Sequence, residues 1–524
     1  MNKENKKPLF KLHNLKQWFP LKKKGLYVKA NDGIDLTIYE GETLGLVGES
    51  GCGKSTLGRT LLQLYEQTDG RTMYYGRSLT DVAPRYMKDS IKSFYKMRRE
   101  LEELTKELEK SEADYAKLDE KEQYKQHNVI AEKRRNQRNA YLNLTNLFGG
   151  FITLDSPDPV LELYGELYEH AKARRDVNRK LQDNKVELED AHFQQQEGKN
   201  RTRKIEKEEA RRAELEKKLA GYDAKIKELE AEIQALREPH LKDPEFMKAE
   251  ANRDDGIDLA RLTYEEMRHL RVDMQLIFQD PYSSLDSRMT VGQIIGEGML
   301  AHNFFKRNDE RMKKEVLRVM DDCGLAPYFL HRYPHQFSGG QRQRIGIARS
   351  LAMNPKFVVC DEAVSALDVS IQSQIINLLK DLKDQQHLTY LFITHDLSVV
   401  KYISDRIAVM YLGVIVELSE SQKIFDRPMH PYTEALISAI PQAEEDASRD
   451  LVVLEGDIPS PVNAPKGCKF HTRCKYAQEK CRHVVPEMRE LSEGHYVACH
   501  YPLNTEESLK QDTGEEEAAE QTAV

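Results

Sequence analysis

The sequence lacks any apolar run approaching the ~20 residues that a helix needs to cross a bilayer. Its first seven residues, MNKENKK, are charged and have no apolar segment behind them, so they do not resemble a secretory signal. The net charge of −8 is small for 524 residues and gives no sign of a nucleic-acid partner. We therefore expect a soluble, cytosolic chain that reaches a membrane only through a partner.

The composition changes twice along the chain, which is long enough for two or more domains. Glycine and proline become rare from about Thr80 to about Asp255, where charged residues and glutamine dominate. Mixed composition resumes near Gly256, and the end of the chain is acidic. We expect a folded core in two parts, a coiled-coil insertion, a cysteine-containing region and a disordered tail. Their respective ranges are 1–79 with 256–425, 80–255, 426–503 and 504–524.

Apolar residues with heptad spacing occur at both ends of the insertion and predict coiled-coil seams. Glycines and prolines in the segment 147–159 break any helix between the two seams. We expect two long antiparallel arms with a tip at this segment, and a helix from about Arg201 to Glu238 that Pro239 ends. The alternatives are a single solvated helix or a partly disordered charge run. The seams are Leu101, Leu104, Leu108, Tyr115 and Leu118, and Leu215, Leu219, Tyr222, Ile226, Leu229, Ile233 and Leu236.

A phosphate-binding loop is predicted at residues 48–55, GESGCGKS, which fit the pattern G-x-x-x-x-G-K-[ST]. A short apolar run precedes this loop and a helical stretch follows it, as the motif requires. The backbone N–H groups of such a loop surround phosphate oxygens, its lysine reaches the β- and γ-phosphates, and its hydroxyl binds Mg²⁺. The residues predicted to bind ATP here are Gly48, Ser50, Gly51, Gly53, Lys54, Ser55 and Thr56, of which Ser55 is also a Mg²⁺ ligand.

A second apolar strand, residues 357–360, ends in two carboxylates, Asp361 and Glu362. Phosphoryl transfer needs little beyond positioning and charge neutralisation. We expect Asp361 to hold Mg²⁺, directly or through water, and Glu362 to orient or deprotonate the attacking water.

The segment FSGGQ, residues 337–341, opens a helix shortly before these acids. The combination resembles the nucleotide-binding subunit of ATP-binding-cassette (ABC) transporters. The resemblance implies an α/β P-loop ATPase with a helical signature subdomain, in which FSGGQ closes over the ATP of a partner subunit. It also implies roles for matching residues: Gln279 as Mg²⁺ ligand and γ-phosphate sensor, Ser338, Gly340 and Gln341 as signature residues, Asp368 at the dimer seam, and His395 as a γ-phosphate contact.

The adenine base in this family stacks on an aromatic residue some way before the phosphate loop. Tyr27 is our first choice by spacing, and Trp18 and Phe19 are the alternatives. An aromatic residue at this place could also belong to the core.

Three longer phrases resemble the ATPase subunits of oligopeptide and dipeptide importers: FQDPYSSL, EAVSALDVS and HPYTEALISAIP. The resemblance implies a peripheral protein on the cytoplasmic face of the membrane. Its expected partners are a second ABC ATPase subunit, two transmembrane permeases and, indirectly, an extracytoplasmic peptide-binding protein. The sequence does not identify the transported molecule, because relatives transport dipeptides, longer peptides, nickel chelates and some sugars.

A rival function is that of a soluble coiled-coil ABC ATPase of the chromosome-maintenance or DNA-repair type. In that class the coiled coil follows the Q-loop glutamine, whereas here the insertion precedes Gln279. The role of the insertion stays open between a tolerated surface excursion, which costs little closure entropy, and a docking arm for another protein or the paired ATPase.

Four of the seven cysteines cluster near the end of the chain with the spacing C-x₅-C-x₆-C-x₁₇-C. Such thiolates bind Zn²⁺ or an iron–sulfur cluster when loops bring them together, and inert thiols are the alternative. The spacing is not that of a C-x₂-C zinc ribbon, and the family resemblance favours a [4Fe–4S] cluster. The predicted ligands are Cys468, Cys474, Cys481 and Cys499, with His471, His483, His495 and His500 as possible replacements.

Overall fold

The computed structural model describes residues 6–23, 25–307, 309–440, 454 and 456–505. Most of the predicted acidic tail therefore lies outside the described residues.

Twelve strands within these ranges form two sheets. They are β1 (Pro8–Pro20), β2 (Tyr27–Tyr39), β3 (Thr43–Val47), β4 (Asp69–Tyr74), β5 (Ile257–Asp258), β6 (Met274–Ile277), β7 (Phe357–Asp361), β8 (Thr389–Ile393), β9 (Arg406–Tyr411), β10 (Val414–Glu420), β11 (Arg489–Ser492) and β12 (His495–Val497).

Sixteen α-helices join these strands in the described part of the chain. They are α1 (Lys54–Leu61), α2 (Leu79–Val82), α3 (Arg85–Tyr115), α4 (Glu120–Phe148), α5 (Asp158–Gln196), α6 (Thr202–Arg237), α7 (Pro244–Glu250), α8 (Tyr264–Leu270), α9 (Val291–Ala301), α10 (Glu310–Asp322), α11 (Gly339–Leu351), α12 (Val369–Gln386), α13 (Leu397–Ile403), α14 (Ser421–Asp426), α15 (Pro431–Ser438) and α16 (Glu479–His483).

The larger sheet has the order β11-β12-β10-β9-β3-β8-β7-β6. The five strands from β9 to β6 are parallel, and β10, β12 and β11 extend one edge in antiparallel pairing. The central strands β3, β7 and β8 are buried along their whole length. Near-continuous apolar runs of this kind are typical of parallel strands covered on both faces. The strands predicted before the phosphate loop and at residues 357–360 are therefore confirmed as β3 and β7.

The smaller sheet is antiparallel and has the order β2-β1-β4-β5. Its last pairing aligns Tyr74 with Ile257 and Met73 with Asp258. The chain thus leaves the sheet after β4 and returns beside the same strand. All the helices between these two strands form one excursion from a sheet edge.

The helices of this excursion do not pair as predicted. α3 packs against α4 and α5 packs against α6, so there are two antiparallel hairpins rather than two arms that pair with each other. The segment 147–159 is not a tip, because Phe148 and Phe151 are buried in an apolar cluster with Phe246 at the root of the hairpins. Glycine and proline do break the helix at this segment. The break lies in an apolar core, however, because the aromatic residues beside it are buried.

The predicted helix from about Arg201 to Glu238 is confirmed as α6, Thr202–Arg237. Four of its seam residues, Leu215, Ile226, Leu229 and Ile233, are buried, whereas the last, Leu236, is 38% exposed. The seam therefore ends one step earlier than the pattern predicts. Among the described residues, no helix combines the length and the apolar character needed to cross a membrane.

Candidate functional site

The loop between β3 and α1 requires glycine at two positions. Gly48 and Gly53 have φ values of 149° and 102°. A Cβ atom on Gly48 would lie 2.1 Å from the carbonyl oxygen of Met410, and one on Gly53 would lie 2.1 Å from that of Ala30. No side chain fits at that distance. The backbone is therefore free to curl tightly ahead of the helix N-terminus, as anion binding requires.

Lys54 spans the inside of this loop. Its side chain is buried, and its Nζ donates hydrogen bonds to the carbonyl oxygens of Gly48 at 2.7 Å and Glu49 at 3.0 Å. The ammonium group is thus held where phosphate oxygens can replace the two carbonyls.

A cleft with a volume of about 440 Å³ opens over the loop. That volume is in the range of small-molecule sites. Its lining brings together six of the seven predicted phosphate-binding residues, all except Gly48, and two of the predicted catalytic residues. The lining consists of Phe19, Val28, Lys29, Ala30, Ser50, Gly51, Cys52, Gly53, Lys54, Ser55, Thr56, Gln279, Glu362, Leu412, Gly413 and Pro461.

Asp361 is fully buried at the end of β7. Its Oδ2 accepts a hydrogen bond from the Arg59 guanidinium at 3.2 Å, while its Oδ1 has no hydrogen-bond partner in the described structure. A buried carboxylate oxygen without a partner is costly, and a hard cation or its bound water would satisfy it. The geometry therefore suits the Mg²⁺ role predicted for Asp361.

Glu362 brings the predicted catalytic residues together. Its Oε2 accepts a hydrogen bond from Gln279 Nε2 at 2.7 Å, and its Oε1 lies 3.4 Å from His395 Nδ1. Its backbone is in the left-handed region, with φ of 49°, and its N–H donates to the carbonyl oxygen of Ile393 at 2.9 Å. A strained backbone held by a neighbouring strand is common where a side chain must be aimed. Here the carboxylate is directed between Gln279 and His395.

The signature residues lie apart from this cleft. Ser338 is exposed, caps the N-terminus of α11 and forms a capping box with Gln341. A Cβ atom on Gly340 would lie 2.5 Å from Ile371 Cγ2, so a side chain there would force the Ile371 side chain to move. Asp368 caps α12 through a 3.0 Å hydrogen bond from the Ile371 N–H. None of these four lines the described cleft.

The aromatic residue at the cleft is Phe19 and not our first choice. Tyr27 is 41% exposed, packs on Trp18 with 6.0 Å between ring centroids, and does not belong to the described cleft lining. The spacing argument could not distinguish these residues, because β1 and β2 pair with irregular register near them.

The four clustered cysteines, Cys468, Cys474, Cys481 and Cys499, line one small cavity. Burial raises the pKa of Cys468 to about 11 and that of Cys499 to about 12. Nevertheless, the described residues contain no group of three or more His, Cys, Asp or Glu side chains arranged to hold a metal ion. The side-chain positions thus converge without forming the predicted metal centre.

The histidines near this cavity have different surroundings. His471 and His500 line the cavity. His483 lies 2.8 Å from Glu479, and His495 lies 2.6 Å from the buried carboxylate of Glu417. His430, which the sequence analysis did not single out, also lines the cavity.

Sequence reasoning missed the side chains that join the C-terminal region to the phosphate loop. Arg473 binds Glu49 through two hydrogen bonds of 2.7 and 3.1 Å, and Lys469 binds Asp32 at 3.0 Å. These partners are more than 400 positions apart, so no local pattern signals them.

Two family models match the chain. The model described as "ABC transporter" matches residues 31–236 and 246–365. The model described as "Oligopeptide/dipeptide transporter, C-terminal region" matches residues 416–481.

Curated relatives share about half of the aligned residues. The chain is 50% identical over 248 residues to the oligopeptide transport ATP-binding protein AppF of Bacillus subtilis, covering 47% of this chain and 75% of AppF. It is 51% identical over 245 residues to a putative peptide import ATP-binding protein of Brucella ovis, covering 47% and 77% of the two chains. A solved structure of cbiO1 from Clostridium perfringens covers 80% of this chain and 91% of its own, with 15% identity and a TM-score of 0.41. The two family models and the identities to the two curated relatives show that the chain is an ATPase and belongs to the ABC transporter ATP-binding proteins, in the oligopeptide/dipeptide branch.

Proposed function

We propose that this chain hydrolyses ATP to energise the uptake of oligopeptides or dipeptides through partner permeases. The observation that carries the proposal is the convergence of Gln279, Glu362 and His395 beside the cleft over Lys54. The match to the oligopeptide/dipeptide C-terminal region and the names of the similar proteins support peptides as the cargo.

In this proposal the phosphates of ATP displace the Gly48 and Glu49 carbonyls from Lys54. Ser55, Gln279 and Asp361 would hold Mg²⁺, which supplies neutralisation of the charge on the phosphates when bound. Glu362 accepts the proton of the attacking water or orients it, while Gln279 and His395 keep the carboxylate in place. The backbone N–H groups of residues 50–56 bind the polyphosphate.

The adenine partner in this proposal is Phe19. Its ring stands in the cleft wall, whereas Tyr27 packs on Trp18. Adenine stacks on a ring face, so an aromatic wall residue is the simplest base platform.

The chain acts in this proposal as half of a nucleotide sandwich. Ser338, Gly340 and Gln341 open α11 away from the chain's own cleft, and Asp368 opens α12 next to them. A second ABC ATPase subunit would supply the nucleotide that these residues contact. Two permeases and an extracytoplasmic binding protein complete the importer, with this chain peripheral on the cytoplasmic face of the membrane and no nucleic acid involved.

The rival chromosome-maintenance function is not favoured. The excursion leaves the sheet between β4 and β5, before Gln279, rather than between Gln279 and FSGGQ. The division into core, insertion and C-terminal region is part of this proposal. So is a coiled coil formed by α5 and α6, which the burial of Leu215, Ile226 and Ile233 supports.

The cysteine region is proposed to bind a [4Fe–4S] cluster, with Zn²⁺ as the alternative. The support is that all four sulfur-bearing residues line one cavity. Binding would have to draw the thiols together from their positions in this structure. Iron, sulfide and zinc analysis of anaerobically purified protein tests this part: four iron atoms per chain support a cluster, and absence of all three elements contradicts both metals.

Uptake by the complete transporter, reconstituted in vesicles with its binding protein, tests the main proposal. Labelled peptides, a nickel chelate and a sugar are each tested as cargo in separate assays. ATP is supplied on the side of the membrane where the nucleotide-binding subunits lie. We expect peptide uptake that stops with Lys54→Ala and persists with Lys207→Ala, an exposed lysine on α6. Uptake of the chelate or the sugar without peptide uptake would contradict the cargo.

A further inference from the structure

One residue of the phosphate loop, Glu49, is bound by side chains of the C-terminal region. Glu49 is engaged at its carbonyl by Lys54, at its N–H by the Tyr432 hydroxyl at 2.8 Å, and at its carboxylate by Arg473. Tyr432 is completely buried on α15, and only 7% of the Arg473 side chain is exposed. Two of these three hydrogen-bonding contacts of Glu49 thus come from the C-terminal region.

The Arg473 contact has an electrostatic consequence. The two terminal guanidinium nitrogens, Nη1 and Nη2, donate to the two carboxylate oxygens of Glu49, the bidentate geometry that is strongest for an arginine–carboxylate pair. Without this cation, a carboxylate in the phosphate loop would repel a polyphosphate. A phosphate that binds Lys54 would also draw its ammonium group away from the Glu49 carbonyl, whereas the contacts of Glu49 with Tyr432 and Arg473 would remain.

We propose that Arg473 and Tyr432 are positioning residues for ATP, which pre-form the phosphate loop and neutralise Glu49. The C-terminal region is then part of the nucleotide site. Since Arg473 immediately precedes Cys474, any change in the cysteine region acts on the loop through one peptide unit.

Binding of MgATP to the full chain tests this proposal. We expect Arg473→Ala to raise the Kd for MgATP about tenfold. Arg473→Lys keeps the positive charge but cannot make the bidentate hydrogen bonds, so it should raise the Kd less. Arg482→Ala is the matched control, because Arg482 is 65% exposed on α16 and should leave the Kd unchanged. Glu49→Gln should largely remove the effect of Arg473→Ala, because the repelling charge is gone.

Two results would overturn the proposal: an unchanged Kd in Arg473→Ala, or losses in the Glu49→Gln and Arg473→Ala variants that simply add. If Arg473→Ala does not fold, Tyr432→Phe decides. That change removes only the hydroxyl that accepts from the Glu49 N–H, so we expect the Kd to rise about threefold, and no change counts against the proposal.

A separate set of contacts concerns the insertion. The distal half of α5 lies against the first turns of α10 and the segment that leads into it. Lys306 Nζ lies 2.7 Å from Glu187 and 3.0 Å from Asp190, and Arg311 lies 3.0 Å from Glu189. Lys314 stands over the Phe193 ring at 5.2 Å.

These contacts are partly shielded from solvent. The side chains of Asp190 and Arg311 are 11% and 16% exposed, whereas those of Lys306 and Glu187 are both 36% exposed and that of Glu189 is 49% exposed. Partly shielded ion pairs in a network hold better than isolated surface pairs. The other hairpin reaches the C-terminal region, where Asn128 on α4 donates to the His483 carbonyl at 3.1 Å.

From these contacts we infer that the hairpin α5–α6 is an intrachain brace between the β4–β5 edge and the helical segment α9–α11. FSGGQ opens the last helix of that segment, so any rotation of α9–α11 relative to the sheet must carry the hairpin along or break the ion pairs. The brace thereby restrains closure of the nucleotide sandwich. This inference rests on the sandwich of the proposed function, whereas the docking of the hairpin can be measured without it.

Hydrogen exchange of the full chain measures the docking. Lys306→Glu with Arg311→Glu should speed exchange in residues 184–193 at least about threefold, since three ion pairs are lost. Glu189→Lys with Asp190→Lys breaks the contact from the other side and should do the same, while it leaves the Glu187–Lys204 pair between α5 and α6 in place. Arg318→Glu is the control, because Arg318 pairs only within α10 among the described residues, with Glu315 and Asp322. Unchanged exchange in both double variants overturns the brace.

ATPase activity of the complete transporter measures the restraint. With the hairpin detached, closure is easier, so the rate at low ATP should rise about twofold or more. An unchanged or lower rate in a variant whose hairpin is demonstrably detached overturns the brace as a restraint. Peptide uptake by vesicles that carry the unaltered chain is measured in parallel. If those vesicles take up no peptide, the proposed function itself is wrong, and this result is distinct from a failure of the brace.

Discussion

Glu362 shows how much of the catalytic arrangement depends on single side chains. Its carboxylate is bound by Gln279 and faces His395, while the unpartnered Oδ1 of the neighbouring Asp361 faces no protein donor in the described structure. Two adjacent carboxylates thus have different surroundings, one suited to a cation and one to a water.

Glu362→Gln is expected to lower the ATPase rate by at least about 100-fold while MgATP still binds. The amide keeps the shape of the side chain but cannot accept a proton from water. Steady-state hydrolysis and nucleotide binding are measured on the same preparation. Glu420→Gln, at the exposed end of β10, serves as the control. Hydrolysis at the normal rate in Glu362→Gln would remove this residue from the mechanism.

Phe19→Ala is expected to weaken MgATP binding by about fivefold to tenfold, because a stacking partner of the base is lost. Tyr27→Ala should change the affinity far less, although Tyr27 lies next to Val28, the strand partner of Phe19. A fluorescent ATP analogue titrated into each full-length variant compares the two. The opposite order would restore Tyr27 as the adenine partner.

At the scale of elements, the insertion consists of two helical hairpins rooted in a common apolar cluster. The heptad pattern predicts the inner face of α6 correctly up to Ile233. It does not specify the partner helix, because α4 and α5 offer similar charge-rich sequences. That choice follows from the burial of Phe148, Phe151 and Phe246 at the root.

Leu229→Ala is expected to destabilise the α5–α6 hairpin by about 2–4 kcal/mol, since Leu229 is 1% exposed and its removal leaves a cavity. Leu236→Ala is the control from the same seam: Leu236 is 38% exposed, so the expected cost is below about 0.5 kcal/mol. Hydrogen exchange across α5 and α6 reports both changes. Equal effects of the two variants would show that the seam does not hold the hairpin.

At the scale of the whole molecule, the C-terminal region joins the cassette through buried polar groups. Glu417 accepts hydrogen bonds from the backbone N–H groups of Met429 and His430 and lies 2.6 Å from His495. Burial lowers the pKa of His430 from 6.5 to about 4, against the opposing charge of Glu417.

This shift predicts loss of stability in mild acid. The unfolded chain binds a proton at His430 below pH 6.5 and the folded chain only near pH 4, so acidification through this window favours unfolding. The His430 contribution to the free energy of unfolding should fall by about 3 kcal/mol between pH 6.5 and 4. Denaturant titrations of wild type and His430→Asn measure it, and the variant should show a shallower pH dependence. Parallel pH curves for the two proteins would contradict the assignment.

The sequence by itself determined the chemistry of this protein. The phosphate loop, the Asp361–Glu362 pair and FSGGQ are each contiguous, and each depends on local backbone geometry: a strand, a turn and a helix N-terminus. Only the tertiary structure decided which helices of the insertion pair, that Phe19 rather than Tyr27 lines the cleft, and that Arg473 binds Glu49. These contacts join residues that are distant in sequence, so they depend on packing and on the matching of buried charges, which no local pattern encodes.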